Sequence, residues 1–84
     1  MLTKTVKVVL KDDNDSRPLA MLVQLAGKFS STILIGTETK MINAKSIMGM
    51  MTLDIKNGDE LKVETEGVDE DDAMTEIETY LKGN

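Results

Sequence analysis

Alternating apolar and polar residues predict strands in three parts of the chain. Residues 3–10 are rich in β-branched side chains, and Val6, Val8 and Leu10 fall on one face. Residues 60–66 alternate in the same way and are expected to leave one face in water; the inward set is Leu61, Val63 and Thr65. Two short apolar runs within residues 31–44 surround a Gly-Thr-Glu-Thr sequence, which predicts a hairpin.

Apolar residues three and four positions apart predict a helix after the acidic segment at residues 12–15. Its stripe consists of Leu19, Leu22, Val23, Ala26 and Phe29. Asp15 or Ser16 could cap this helix, Pro18 fits its first turn, and Gly27 could end it.

A helix near the C-terminus is predicted by charge as well as by periodicity. Its first turn is acidic and Lys82 lies near its end, an order that suits the helix dipole. One face carries Ala73, Met74, Ile77 and Leu81. With a short helix after Ser46, the predicted order is βαββαβα. The compact arrangement is a single α+β domain over residues 1–84, in which three helices cover one face of a four-stranded, mainly antiparallel sheet.

Composition excludes several functional classes. The chain has no cysteine, which excludes disulfides and thiolate metal sites, and no histidine, which removes the usual acid/base group at neutral pH. The net charge of −5 disfavours direct binding to nucleic acid. We find no membrane span, signal peptide or catalytic constellation, so we expect a cytoplasmic protein that is not an enzyme and needs no cofactor.

The acidic segment before the first helix has more than one interpretation. Asp12, Asp13, Asn14 and Asp15 offer oxygen ligands of the kind that calcium and magnesium prefer. The run lacks the glycine of an EF-hand loop, and Val23 stands where the closing glutamate would be. We therefore predict a solvated loop without a metal. Arg17 could either pair with Asp15 or contact a partner.

Ser46 begins a short apolar helix in which Gly49 weakens the helical pattern. Ser46 is expected to be an N-cap, and phosphorylation there would add a charge of about −2 beside Lys45. A helix this short cannot bury all four of its large apolar residues, so one or two should be exposed as a docking surface. The four are Ile47, Met48, Met50 and Met51.

The segments "RPLAMLVQLAGKF" and "NAKSIMGMMTLDIKNGDELKVETEGVDEDDAMTEIETYL" resemble the HPr family of the bacterial phosphoenolpyruvate-dependent sugar phosphotransferase system. The resemblance spans nearly the whole chain and implies an open-faced β-sandwich with three helices. "NAKSIMGMM" is similar to the regulatory-serine motif of Gram-positive members. The resemblance implies that an ATP-dependent HPr kinase/phosphorylase modifies Ser46.

This sequence departs from the family at its phosphate-carrying residue. Family phosphocarriers have a histidine just before "ARP", whose ring takes phosphate from enzyme I, whereas this chain has Asp15, Ser16, Arg17 and Pro18 there. The resemblance therefore implies an anion cradle without its histidine. Phosphohistidine transfer is excluded, because the chain contains no histidine.

The pattern is similar to that of Crh-like members, the catabolite-repression HPr-like proteins, which lack the active histidine and keep the serine. That resemblance implies a corepressor role with a CcpA-like transcription regulator of the LacI type after Ser46 is phosphorylated. The implied partner-binding residues are Asp15, Arg17, Lys45, Ile47, Met48 and Met51.

Three alternatives remain open on the sequence. Asp15 could accept phosphate as an acyl phosphate, which would make the chain a divergent phosphocarrier. Asp15 could instead act as a constitutive, partial mimic of a phosphorylated residue. The chain could also be a variant of an ordinary HPr, although its other changes near Asp15 exceed one substitution. The sequence leaves the oligomeric state open.

Overall fold

The computed structural model describes residues 1–9, 17–53 and 58–82, and gives only the backbone for residues 17–19. Within these ranges the chain forms four strands and three helices. In chain order they are β1 Leu2–Lys7, α1 Arg17–Ala26, β2 Thr32–Thr37, β3 Lys40–Asn43, α2 Ile47–Met50, β4 Glu60–Glu66 and α3 Glu70–Leu81. The predicted βαββαβα order is confirmed. None of the described helices is long and apolar enough to cross a membrane.

The sheet has the order β1-β4-β2-β3, and every neighbouring pair is antiparallel. Alternation in the central strands sends one set of side chains into the core: Ile33, Ile35, Leu61, Val63 and Thr65 are all buried. The helices cover this face, with α3 against β4 and β1, α1 against α3, and α2 against β3 and α1. The α+β class and the helices on one face are thus confirmed.

The first strand is shorter than predicted, but its pairing continues. β1 ends at Lys7, yet the Val8 amide donates to the Asp59 carbonyl at 2.7 Å and the Val8 carbonyl accepts from the Gly58 amide at 2.7 Å. Val6 and Val8 are buried as predicted. Leu10, the third member of that face, lies outside the described residues.

The hairpin turn is shorter than the predicted Gly-Thr-Glu-Thr connection. Gly36 and Thr37 belong to β2 and pair with Met41 and Lys40, so only two residues connect the strands. Gly36 is needed for this close approach, because a Cβ there would lie 1.9 Å from the Lys40 carbonyl oxygen. The hairpin leads directly into the turn before α2, so it positions Ser46.

The predicted C-terminal helix is confirmed as α3. All four residues of its predicted apolar face are buried: Ala73, Met74, Ile77 and Leu81. Lys82 forms an ion pair with Glu78, and so does Lys4 from β1, each at 3.0 Å. The nearby ammonium groups of Lys82 and Lys4 lower the pKa of the Glu78 carboxyl. These contacts join the C-terminal end of α3 to the sheet edge.

Candidate functional site

Ser46 occupies the N-cap position of α2, as predicted. Its backbone is extended, with φ −101° and ψ 111°, and its hydroxyl oxygen accepts a hydrogen bond from the Gly49 amide at 3.2 Å. This bond satisfies one of the amides that a helix leaves unpaired at its first turn. The residue is exposed. The hydroxyl is therefore held at the surface by the helix that it begins.

The residues just before Ser46 form a turn fixed by side-chain hydrogen bonds. The Asn43 side-chain oxygen accepts from the Lys45 amide at 2.9 Å, and the Ser46 amide donates to the Asn43 carbonyl at 3.0 Å. The Lys45 ammonium donates to the Phe29 carbonyl at 2.6 Å. Lys45 thus links this turn to the segment that follows α1, and its side chain remains exposed.

One methionine anchors α2 and the other large apolar side chains face solvent. Met50 is fully buried, whereas Met48 is 79% exposed, Met51 68% and Ile47 49%. We predicted that one or two of these four residues would be exposed, and the structure exposes three. The reason is the length of α2, since a single turn can direct only one side chain into the core. We refer to Ile47, Met48 and Met51 as the apolar patch.

Gly49 has a packing role that the sequence prediction missed. The pattern indicated only that glycine weakens the helix. A Cβ on Gly49 would lie 2.9 Å from the Ile42 Cγ2 atom and 3.3 Å from the Ser46 hydroxyl oxygen. The missing side chain therefore lets α2 pack closely on β3 while Ser46 keeps its capping bond.

The other half of the predicted site lies mostly outside the described residues. Asp15 falls there, together with the rest of the acidic segment and Ser16. Helix α1 begins at Arg17, and Pro18 is in its first turn as predicted. The Arg17–Asp15 ion pair, the cap at Asp15 or Ser16 and the partner contacts of Asp15 and Arg17 stay predictions. The structure does bring Lys45, Ser46 and the apolar patch together around one short helix.

Asp69 makes long-range contacts that the sequence analysis did not identify. It occupies the N-cap position of α3, but its carboxylate accepts from the backbone amides of Ser30 at 2.8 Å and Ser31 at 2.9 Å. The Ser31 hydroxyl also donates to this carboxylate. That hydroxyl and the Ser30 amide lower the pKa of Asp69. The only sequence signal was an aspartate before a helix, which points to local capping and not to a partner 38 residues away.

The described residues contain no group of three or more acidic, histidine or cysteine side chains that could hold a metal ion. The acidic segment 12–15, for which a metal was considered, is not among them. What the described site offers is an exposed, geometrically fixed hydroxyl beside a lysine and an apolar surface.

Comparison with known proteins identifies the family. The family model described as "PTS HPr component phosphorylation site" matches residues 2–83. The HPr-like protein Crh of Halalkalibacterium halodurans is 43% identical over 82 residues, which cover 98% of each chain. The crystal structure of the phosphocarrier protein HPr from Bacillus anthracis superposes with a TM-score of 0.89 at 40% identity, covering 96% of each chain.

A second solved structure is similar. Crh of Bacillus subtilis is 37% identical and superposes with a TM-score of 0.73, covering 96% of this chain and 93% of that one; it is described as a dimer with a swapping domain. The family match, the sequence similarity over nearly the whole chain and the shared fold all indicate the same family. We conclude that this chain belongs to the HPr family of phosphotransferase-system proteins.

Proposed function

We propose that this protein is a regulatory binding module of carbon catabolite repression, switched by phosphorylation of Ser46. An HPr kinase/phosphorylase modifies the serine, and the phosphorylated form acts as corepressor for a CcpA-like transcription regulator. The observation that carries the proposal is that Ser46 is exposed at the start of α2 and is followed along the chain by the exposed apolar patch.

The composition of the chain separates this role from classical phosphate transfer. The sequence contains no histidine, so no phosphohistidine can form. By the family resemblance, Asp15 stands at the position of that histidine. The relatives include proteins named Crh, which we take as the closer functional model, as well as proteins named HPr.

The proposed modification is a phosphoryl transfer from ATP. The Ser46 hydroxyl oxygen bonds to the γ-phosphorus, the bond from that phosphorus to the ADP oxygen breaks, and the hydroxyl proton passes to a base on the kinase. The net charge changes from −5 to about −7, because a phosphoserine carries close to −2 at neutral pH.

Recognition of the modified site combines charge with apolar contact. A phosphate dianion accepts strong hydrogen bonds from arginine, so a partner with basic side chains can distinguish the two forms. Ile47, Met48 and Met51 offer adaptable apolar surface immediately after the serine. The phosphate then controls when the partner binds, and the apolar patch contributes to affinity in both forms.

Intact mass measurement tests the proposal directly. The protein is incubated separately with HPr kinase plus ATP and with enzyme I plus phosphoenolpyruvate. We expect one phosphate from the kinase and none from enzyme I. Absence of a phosphate from the kinase reaction would overturn the proposal.

The choice of Ser46 variant sharpens this test. Ser46→Ala removes both the hydroxyl and the capping bond, and loss of a cap costs about 1 kcal/mol. Ser46→Asn removes the phosphate acceptor but keeps a side chain that caps helices as well as serine does. We expect neither variant to be phosphorylated. A phosphate on Ser46→Asn would place the modification elsewhere.

A binding experiment tests the second half of the proposal. Calorimetry with a purified CcpA-like regulator should detect binding of the phosphorylated wild type and none of Ser46→Asn treated in the same way. Equal affinity of the two samples would refute the corepressor role. Light scattering is needed in parallel, since the similar Crh of Bacillus subtilis is described as a dimer and a dimer would present two Ser46 sites.

A phosphocarrier role through Asp15 is the second candidate, because the similar protein of Bacillus anthracis is named a phosphocarrier. It requires an acyl phosphate on Asp15, which enzyme I would form and which hydrolyses readily. A phosphate gained from enzyme I and absent in Asp15→Asn would establish it. If Asp15 were instead a constitutive phosphate mimic, Asp15→Asn would abolish partner binding without any phosphorylation.

A further inference from the structure

Most methionines of the described residues are either exposed or buried, and Met41 in β3 is intermediate. Met48 and Met51, which follow Ser46 in and after α2, are 79% and 68% exposed. Met50, which lies between them, is fully buried, and Met74 in α3 is 2% exposed. A four-residue segment thus contains two accessible thioethers and one protected thioether.

We propose that Met48 and Met51 are sites of reversible oxidation that switches off docking around Ser46. This inference rests on the proposed function and adds a redox input to the same surface. The oxidant is hydrogen peroxide. The thioether sulfur attacks one peroxide oxygen, the O–O bond breaks, and methionine sulfoxide and water are the products.

The structural consequence follows from the chemistry of the product. A sulfoxide is polar and strongly hydrated, whereas the thioether contributes flexible apolar contact. Two sulfoxides would leave Ile47 as the unmodified apolar side chain of the patch. A protein that must cover the patch to reach Ser46 would then have to desolvate polar groups, which weakens docking. The fold should persist, because the buried anchor Met50 is protected.

The selectivity of the reaction is measured first. The protein is treated with hydrogen peroxide, and peptide mass spectrometry follows each methionine over time. We expect Met50 and Met74 to react roughly tenfold or more slowly than Met48 and Met51, since oxidation follows exposure. Equal rates at buried and exposed positions would overturn the inference. Met1 and Met21 are also exposed, so a variant is needed to isolate the patch.

The functional readout is the rate at which HPr kinase phosphorylates Ser46. We expect oxidation to lower kcat/KM about tenfold or more. Methionine sulfoxide reductases supplied with a dithiol reductant should restore it, because the dithiol provides the two electrons and is oxidised to a disulfide as the sulfoxide oxygen leaves as water. The matched control is the double variant Met48→Leu/Met51→Leu, which keeps similar apolar volume without an oxidisable sulfur. Its own rate before peroxide treatment is the baseline, and the treatment should leave that rate unchanged.

The outcomes separate this inference from the proposed function. No phosphorylation of the unoxidised protein would overturn the proposed function, and the redox input with it. Normal phosphorylation that oxidation leaves unchanged would overturn only the redox input. Equal loss of activity in the double leucine variant would also overturn it, because the damage would then arise at another residue.

Discussion

Truncation of Met50 is the sharpest test of how α2 is held. Met50 has no exposed surface and belongs to the core cluster, while its helix is only four residues long. Replacing a fully buried methionine by alanine removes its transfer free energy and leaves a cavity, a loss of about 2–5 kcal/mol. Since a domain has only about 5–15 kcal/mol of total stability, Met50→Ala should remove a large share of it.

The matched control lies two residues earlier. Met48 is 79% exposed, so Met48→Ala should change the free energy of unfolding by less than about 0.5 kcal/mol. Urea unfolding followed by circular dichroism suits this chain, which has no tryptophan and one tyrosine. The melting temperature should fall by roughly 10 °C or more for Met50→Ala and barely change for Met48→Ala. A Met50→Ala loss below about 1 kcal/mol, or equal losses in both variants, would refute the anchor argument.

Three further predictions concern the scaffold. In urea unfolding, Gly67→Ala should destabilise the fold more than Gly58→Ala. Both glycines have positive φ, but a Cβ on Gly67 would also lie 2.6 Å from the Ser31 hydroxyl oxygen, whereas a Cβ on Gly58 would meet nothing within 4 Å. Equal losses in the free energy of unfolding would contradict this. Hydrogen bonds lower the pKa of the Asp69 carboxyl from 3.8, so its ionised form stabilises the fold above that pH, and this stabilisation is lost as the pH falls through the folded pKa. Asp69→Asn should therefore have a lower free energy of unfolding than the wild type at neutral pH. The difference between the two should narrow below about pH 4. A constant gap from pH 7 to 3 would count against that assignment. Gly36→Ala places a Cβ 1.9 Å from a carbonyl oxygen of β3, so it should cost about 1–3 kcal/mol or more, and wild-type stability would show that the hairpin can relax.

Strong periodicity made most of the fold predictable. Alternation in β4 and the stripe of α3 each named residues that proved to be buried, because a sheet face or helix face must be covered to form a core. Turn boundaries were less predictable. Gly36 and Thr37 belong to the sequence predicted to turn, but they pair with β3. The strands extend this far because the pairing satisfies the backbone hydrogen-bonding groups of these residues.

The local structure around Ser46 was predictable only in part. Ser46 as N-cap and an exposed apolar surface followed from local sequence, but the share of α2 that is buried depends on how it packs on β3 and α1. The same holds for Gly49, whose close neighbour Ile42 lies on another element. Asp69 shows the limit most clearly, since its contacts to Ser30 and Ser31 join segments distant in sequence. Tertiary packing decides such features.

In the proposed switch, different residues in and beside α2 serve the fold and the recognition of a partner. Met50 and the space beside Gly49 hold α2 to the core, whereas Ser46, Met48 and Met51 face solvent. A phosphate on Ser46 still offers oxygens to the Gly49 amide, so the cap does not have to be broken when the serine is modified. The free-energy difference that makes a partner choose the phosphorylated form must then arise mainly in the contacts with that partner. A rigid support with an exposed, modifiable surface is therefore sufficient for the proposed switch.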